Sequence, residues 1–185
     1  MTLLRERTEG GIEVLRLNRP DVRNAFDTAL IGALTRALDE LAADDSLRVL
    51  VLSTTSPVAL SAGADVAEPL TPEGGIARMR AFSRLYAALE AFPVPTVAVC
   101  VGNVVGAGAE LAAGGDLRVG GDNLKLRFPG ATLGVPVGPA RLTPLIGLSR
   151  AKELILTGRV VGLDEALAIG LVHRGTPAIE AEAAG

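Results

Sequence analysis

Two segments rich in glycine and alanine have the residue types and spacing that an oxyanion-binding site needs. Residues 60–68 read Leu-Ser-Ala-Gly-Ala-Asp-Val-Ala-Glu, and residues 101–111 read Val-Gly-Asn-Val-Val-Gly-Ala-Gly-Ala-Glu-Leu. Each ends an apolar strand, turns through Gly or Ala and predicts a helix start, where main-chain N–H groups lack partners and carry a partial positive charge. Small residues let a ligand approach that backbone closely. Two such turns facing each other would form an oxyanion hole.

These two segments also allow other interpretations. Asp65 and Glu68 have the spacing of a capping box, which predicts that a helix begins there. Taken singly, either segment is also typical of an ordinary tight connection, because glycine turns are common. A dinucleotide-binding turn is disfavoured because Leu111 stands where the third glycine of G-x-G-x-x-G belongs. The sequence contains neither a G-x-S-x-G nucleophile motif nor a G-K-[ST] phosphate loop.

The elements that must position these segments follow from hydrophobic periodicity. Apolar runs predict strands at residues 12–17, 48–53, 96–101 and 117–119, with a glycine-rich turn at 102–108 and a short helix at 110–113. Two longer helices are predicted, one after an N-cap at Asp27 and one opening at Thr71-Pro72-Glu73 with Pro72 in its first turn. Their predicted apolar faces are Leu30, Ile31, Leu34, Leu38 and Leu41 in the first, and Ile76, Met79, Phe82, Leu85, Tyr86 and Leu89 in the second. The alternation indicates one α/β domain over residues 1–175, with a flexible tail at 176–185.

Composition excludes several classes of protein. The chain has 185 residues, of which 49% are hydrophobic, so it is long and apolar enough for one aliphatic core. Its net charge of −3 and its lack of a Lys/Arg block do not favour a nucleic-acid or anionic-membrane partner. The single cysteine, Cys100, allows no intrachain disulfide and no Cys-based metal site, and we expect it to be buried on a strand. With no signal peptide or membrane span expected, we predict a cytoplasmic protein.

Six segments in a fixed order, within residues 12–174, carry a more specific signal. They are N-R-P followed by N-A (18–20, 24–25), A-G-A-D (62–65), P-V-P-T-V-A (93–98), G-A-G-A-E-L-A (106–112), D-L-R-V (116–119) and R-A-K-E-L through E-A-L-A-I-G-L-V (150–172). Any one of these segments is weak, but their order is highly specific. On this basis the chain resembles the crotonase (enoyl-CoA hydratase/isomerase) superfamily.

The resemblance implies an α/β fold built as a crotonase-type spiral of ββα units, with a shortened C-terminal helical part. It also implies an acyl-CoA thioester as the partner, with coenzyme A as part of the substrate and no other cofactor or metal. A homotrimer or higher oligomer is expected, in which another subunit could close the acyl pocket.

The resemblance also assigns roles to individual positions. The amides of Ala64 and Ala107 would form the oxyanion hole, and Glu110 would be a catalytic carboxylate. Substrate contacts are implied for four further residues: Ala62, Asp65, Val66 and Gly106. His173, the only histidine, is expected on the surface with no catalytic role.

One expected catalytic group is missing. In the family a second carboxylate lies in a P-E segment shortly before an L-G pair, and here Gly130 occupies that place. The stretch that follows, residues 135–142, is about three residues shorter than the family pattern. Losing a positioned acid/base typically costs a factor of about 10² to 10⁴ in rate. Three hypotheses remain: an enolate-forming acyl-CoA enzyme with Glu110 as its single acid/base, a non-catalytic acyl-CoA binder or accessory subunit, and an enzyme for carrier-protein-bound acyl groups.

Overall fold

The structure, a computed structural model, describes residues 1–134 and 140–177. Within these ranges the strands are β1 (Leu3–Arg7), β2 (Ile12–Leu17), β3 (Val49–Thr54), β4 (Ala59–Ser61), β5 (Thr96–Cys100), β6 (Asn103–Val105), β7 (Leu117–Gly121), β8 (Lys125–Arg127) and β9 (Arg174–Thr176). The helices are α1 (Thr28–Leu41), α2 (Pro72–Glu90), α3 (Ala107–Gly114), α4 (Thr143–Ile146), α5 (Leu148–Thr157) and α6 (Leu163–Ala168).

These elements form two sheets. The larger has the order β1-β2-β3-β5-β7-β9, and the smaller has the order β4-β6-β8. Only the β1–β2 pair is antiparallel among the strand pairs of the described residues. Along the chain the pattern β-β-α occurs as β1-β2-α1, β3-β4-α2 and β5-β6-α3, and β7-β8 is followed by α4 and α5. This confirms the predicted α/β class and the predicted spiral of ββα units.

Helix α1 forms where the sequence predicts it. The Asp27 side chain accepts a hydrogen bond from Leu30 N at 2.7 Å, which satisfies one of the unpaired amides at the helix start. All five residues of the predicted apolar face are buried against the sheet and α2. Cys100 is buried on β5, as expected, and burial raises the pKa of its thiol to about 12.

Helix α2 departs from its predicted apolar face. Its later residues pack into the core, but Ile76 and Met79 are 57% and 56% exposed. The first half of the helix turns three small residues, Gly74, Ala77 and Ala81, toward a cavity of about 240 Å³ that is also lined by α1. A hydrophobic pattern does not register such small residues, so the predicted face is wrong in this half.

No helix begins at Asp65, so the predicted capping box is wrong. The residues after Asp65 form a turn, and its side chain accepts from Ala67 N at 3.1 Å. Glu68 does not reach back to Asp65 but accepts from Thr28 N on α1. Pro69 follows directly, and a residue that precedes proline is disfavoured in helical conformation.

The predicted glycine-rich turn at residues 102–108 contains the strand β6. This strand has three residues and pairs with β4 and β8, which are equally short and were not predicted. Each is too short to show a period in sequence, and each depends on partners distant along the chain. Strand β9 was also missed, and it extends to Thr176, one residue into the predicted tail. Residues 178–185 of that tail lie outside the described ranges.

Candidate functional site

The two glycine segments lie against each other because β4 and β6, the strands that lead into them, are parallel neighbours. A Cβ built on Gly63, whose φ is +96°, would lie 2.9 Å from Val105 O and 3.6 Å from Ala107 N. A Cβ on Gly108 would lie 2.6 Å from Ser61 Cβ. Glycine is therefore required at both positions so that the two turns can touch.

The amide of Ala64 is left without a partner by the way its neighbours pair with Phe26. Gly63 O accepts from Phe26 N at 2.8 Å, and Asp65 N donates to Phe26 O at 2.9 Å. The C=O and N–H of a trans peptide point in opposite directions, so the N–H of the Gly63–Ala64 peptide faces away from Phe26. Within the described ranges this N–H donates to no other protein group.

The amide of Ala107 is the first of α3. Gly106 precedes it with φ +52° and ψ −114°, and Gly106 O accepts from Glu110 N at 2.9 Å. The first amides of a helix have no partner within the helix and carry its partial positive charge. Ala107 N has no hydrogen-bond acceptor in the part of the chain that the structure describes. Both turns thus present an unpaired main-chain N–H at their point of contact.

Asn24 holds the first turn through hydrogen bonds to the strands that precede it, a role that the sequence did not predict. Its side-chain nitrogen donates to Thr54 Oγ1 at 2.7 Å and to Leu60 O at 3.1 Å. The main-chain carbonyl of Asn24 accepts from the Ser61 hydroxyl at 2.8 Å. The oxygen of the same Ser61 hydroxyl accepts from Gly63 N at 3.1 Å. Asn24 is fully buried and has φ +53°, a conformation that Asn tolerates better than most residues. The N-A motif in the sequence was the available signal.

The predicted substrate-contacting residues of the first segment lie at its surface. Ala62 N donates to Arg23 O at 2.8 Å, and an oxygen of the Asp65 carboxylate accepts from Arg19 Nη1 at 3.1 Å. Val66 is 90% exposed, which is unusual for a valine. These three residues therefore follow the edge of the first turn, next to Ala64.

Glu110 is buried next to a cation. Only 6% of the residue is exposed, and its Oε2 accepts from Arg141 Nη1 at 3.3 Å. The guanidinium carbon of Arg141 lies 4.4 Å from the centre of the Tyr86 ring. Its Nε lies 2.6 Å from Glu90 Oε1, which makes an ion pair whose geometry does not meet that of a hydrogen bond. Burial raises the pKa of the Glu110 carboxyl, and Arg141 opposes that shift in part.

Tyr86 connects the second turn with Arg141, the partner of Glu110. Its hydroxyl donates to Ala107 O at 3.2 Å, and its ring packs beneath the Arg141 guanidinium. Burial is the main cause that raises the pKa of the Tyr86 hydroxyl, and the nearby charge of Glu110 adds to it. Tyr86 therefore remains a neutral hydrogen-bond donor. No sequence pattern indicated a functional role for Tyr86 or Arg141.

The segment that lacks the second carboxylate is close to the two turns. Pro129 Cδ lies 3.9 Å from the position of a Cβ on Gly106, and Gly130 follows it at the start of a 3-10 turn. The shortened stretch begins just beyond, and its residues 135–139 lie outside the described ranges. Gly130 thus places no acid or base on this side of the site.

His173 does not belong to the site. It is exposed, and its Nδ1 accepts from Arg118 N at 3.2 Å. Across residues 1–134 and 140–177, no group of three His, Cys, Asp or Glu side chains could hold a metal ion. The same residues form no helix with the length and apolarity needed to cross a membrane.

Comparisons with known proteins indicate a single family. A protein-family model described as enoyl-CoA hydratase/isomerase matches residues 7–183. An enoyl-CoA isomerase/hydratase of Zymoseptoria tritici is 38% identical over 173 residues, which cover 89% of this chain. A Mycobacterium bovis protein, named as a probable enoyl-CoA hydratase, is 36% identical over 180 residues, which cover 96% of this chain.

Solved structures give the same result. The crystal structure of an enoyl-CoA hydratase from Bacillus anthracis matches 100% of this chain with a TM-score of 0.92 and 27% identity. The structure of Pseudomonas aeruginosa DspI matches 99% with a TM-score of 0.92 and 28% identity. The chain spans 56% of the Z. tritici relative, 69% of the M. bovis relative, 73% of the B. anthracis structure and 71% of the DspI structure. The chain belongs to the enoyl-CoA hydratase/isomerase family, within the crotonase superfamily.

Proposed function

We propose that this protein acts on an acyl-CoA thioester, or the corresponding carrier-protein thioester, through an enolate. The carbonyl oxygen would accept from Ala64 N and Ala107 N, and Glu110 would be the single acid/base. The observation that carries the proposal is the contact between two turns that each hold an unpaired main-chain amide, with a buried carboxylate three residues beyond the second amide.

The amides act on charge that develops during the reaction. When a nucleophile adds to an enoyl thioester, or a base removes a proton next to the carbonyl, electron density moves onto the carbonyl oxygen. Each donor, held in place before the reaction, contributes about 3 kcal/mol to stabilising that oxyanion. The positive end of α3 lies at the same point and favours the same negative charge.

Glu110 has two successive tasks in hydration. As a carboxylate it takes a proton from water, the water oxygen bonds to the β-carbon, and the electrons of the double bond move to form the enolate. The same carboxyl then returns its proton to the α-carbon, and the carbonyl re-forms. A raised pKa, caused by burial, makes Glu110 a better base at neutral pH than a solvated glutamate.

The nucleotide end of coenzyme A would lie along the edge of the first turn. Ala62, Asp65 and Val66 contact it largely through main-chain atoms, and Gly106 lies next to the thioester. No further cofactor takes part. The homotrimer and the cytoplasmic location stay predictions.

A second candidate function is a non-catalytic acyl-CoA binder or accessory subunit, and Gly130 favours it. Both functions use the same two amides, but only the enzyme needs Glu110 to exchange protons.

The test is the product mass after incubation with a panel of enoyl-CoA thioesters. We expect the mass to increase by one water with wild type and with Glu90→Gln, a control that changes a partner of Arg141 outside the two turns. Glu110→Gln should lower the rate by about 10² or more. Binding of the thioesters without any mass change or double-bond movement would refute the hydratase and favour the binder.

A further inference from the structure

Arg78, on α2, holds the turn that follows Ala64. Its Nη1 donates to Asp65 O at 2.7 Å and to Glu68 Oε2 at 3.3 Å. The side chains of Arg78 and Glu68 are only 18% and 19% exposed, so water competes weakly for this pair. A single nitrogen therefore joins the beginning and the end of the turn formed by residues 65–68.

Glu68 extends this connection to α1. Its two carboxylate oxygens lie 3.0 and 3.2 Å from Thr28 N, the amide of the first residue of the helix. A carboxylate is favoured there by the partial positive charge of a helix start. Burial by itself would raise the pKa of the Glu68 carboxyl, but its hydrogen bonds to Thr28 and the charge of Arg78 together lower that pKa below its ordinary value. Glu68 thus lies between α1 and α2.

Packing does little to hold the first half of α2 in place. The buried side chains of this helix begin at Phe82, and the space beneath residues 74–81 is the cavity of about 240 Å³. The polar contacts of Arg78 are therefore the connection between this half of the helix and the turn.

The turn and the oxyanion amide have separate supports. Both peptides flanking Ala64 are hydrogen-bonded to the main chain of Phe26, whereas residues 65–68 depend on side chains of Arg78 and Arg19. We infer that Arg78 is a positioning residue for the nucleotide end of the substrate, and that it leaves the amide of Ala64 unaffected. The inference rests on the proposed function, which assigns this turn to the nucleotide.

The test compares two thioesters of the same acyl group, one of coenzyme A and one of pantetheine, which lacks the nucleotide. Arg78→Ala should raise KM for the coenzyme A thioester about five- to tenfold, because charge-assisted hydrogen bonds are lost. It should change kcat by less than about twofold and leave KM for the pantetheine thioester unchanged. Arg78→Lys should restore KM, because one nitrogen makes both contacts.

Arg84→Ala is the matched control. Arg84 also lies on α2 and pairs with α1, through Asp39 at 2.7 Å, but it does not touch the turn. We expect its KM values to equal those of wild type. Amide hydrogen exchange, measured without ligand, should accelerate at residues 66–68 in Arg78→Ala and stay unchanged at residues 61–64.

Any one of the following outcomes would overturn the inference. One is an unchanged KM for the coenzyme A thioester in Arg78→Ala. Another is an equal rise in KM for both thioesters, or a fall in kcat as large as the rise in KM, either of which would mean that the whole site is disturbed. If wild type binds neither thioester, the proposed function fails and the inference fails with it. Unchanged exchange at residues 66–68 would instead refute the role of Arg78 alone.

Discussion

Replacing Gly63 with alanine should separate the two turns. At φ +96° a side chain costs about 1–2 kcal/mol in backbone strain. The new Cβ would lie 2.9 Å from Val105 O, a main-chain atom that cannot rotate away. The turns must move apart by about 0.5 Å to relieve this overlap, so we expect a total loss of about 2–4 kcal/mol in the free energy of unfolding.

The same movement should reduce activity. Oxyanion donors act within a narrow range of distance, and a misplacement of about 1 Å can cost a factor of about 10². For the smaller shift we expect Gly63→Ala to lower kcat with an enoyl-CoA thioester about 10- to 100-fold. Turnover would be measured at a temperature where denaturant titration shows that the variant is fully folded.

Gly10→Ala provides the matched control. Gly10 has φ +82°, but no atom lies within 4 Å of its added Cβ. It should lose only the strain of about 1–2 kcal/mol and keep the kcat of wild type. If Gly63→Ala loses no more stability than Gly10→Ala and keeps its kcat, the proposed contact between the turns has no role in catalysis.

Two further changes test the surroundings of the site. Arg141→Ala removes the cation that opposes the burial of Glu110, so the pKa of Glu110 should rise further. The ionised form of Glu110 is the base, so activity falls as the pH drops through this pKa. The acid limb of the pH–rate profile should therefore move to higher pH in Arg141→Ala. An unmoved limb would contradict the assignment of Glu110 as the base. Gly108→Ala, whose Cβ would meet Ser61, should lose about 1–3 kcal/mol of unfolding free energy. The control is Gly75→Ala, in α2 with open space around it, which should raise the free energy of unfolding by about 0.4–1 kcal/mol. If thermal unfolding shows equal effects for Gly108→Ala and Gly75→Ala, the packing argument is refuted.

The sequence predicts best those elements whose signal is local. The apolar face of α1 repeats over four turns of helix, and the N-cap at Asp27 immediately precedes it. Both predictions are confirmed. Four strands of the larger sheet, β2, β3, β5 and β7, were predicted in the same way because each is a run of apolar residues, whereas the polar edge strands β1 and β9 were missed. The resemblance of six ordered segments supplied the family.

Contacts between distant segments were the main source of error. Asp65 and Glu68 have the spacing of a capping box, but Glu68 finds a better donor in Thr28 on another helix. Strand β6 exists because β4 and β8 pair with it on either side, and neither partner is visible in its three residues. Arg78 and Arg141 act through partners that the fold brings to them, so no local pattern distinguishes them from solvated arginines.

The use of main-chain donors affects how this protein would respond to random mutation. Every amino acid except proline carries an N–H, so the proposed donors at Ala64 and Ala107 survive almost any substitution of those residues. Because Ala64 and Ala107 both pack against the core, a saturation mutagenesis screen would report tolerance of other small side chains at the two donor positions. Intolerance would appear beside them, at Gly63 and Gly108, where a side chain has no room. In such a protein the least substitutable positions lie next to the functional atoms, and the residues that carry those atoms are less restricted in identity.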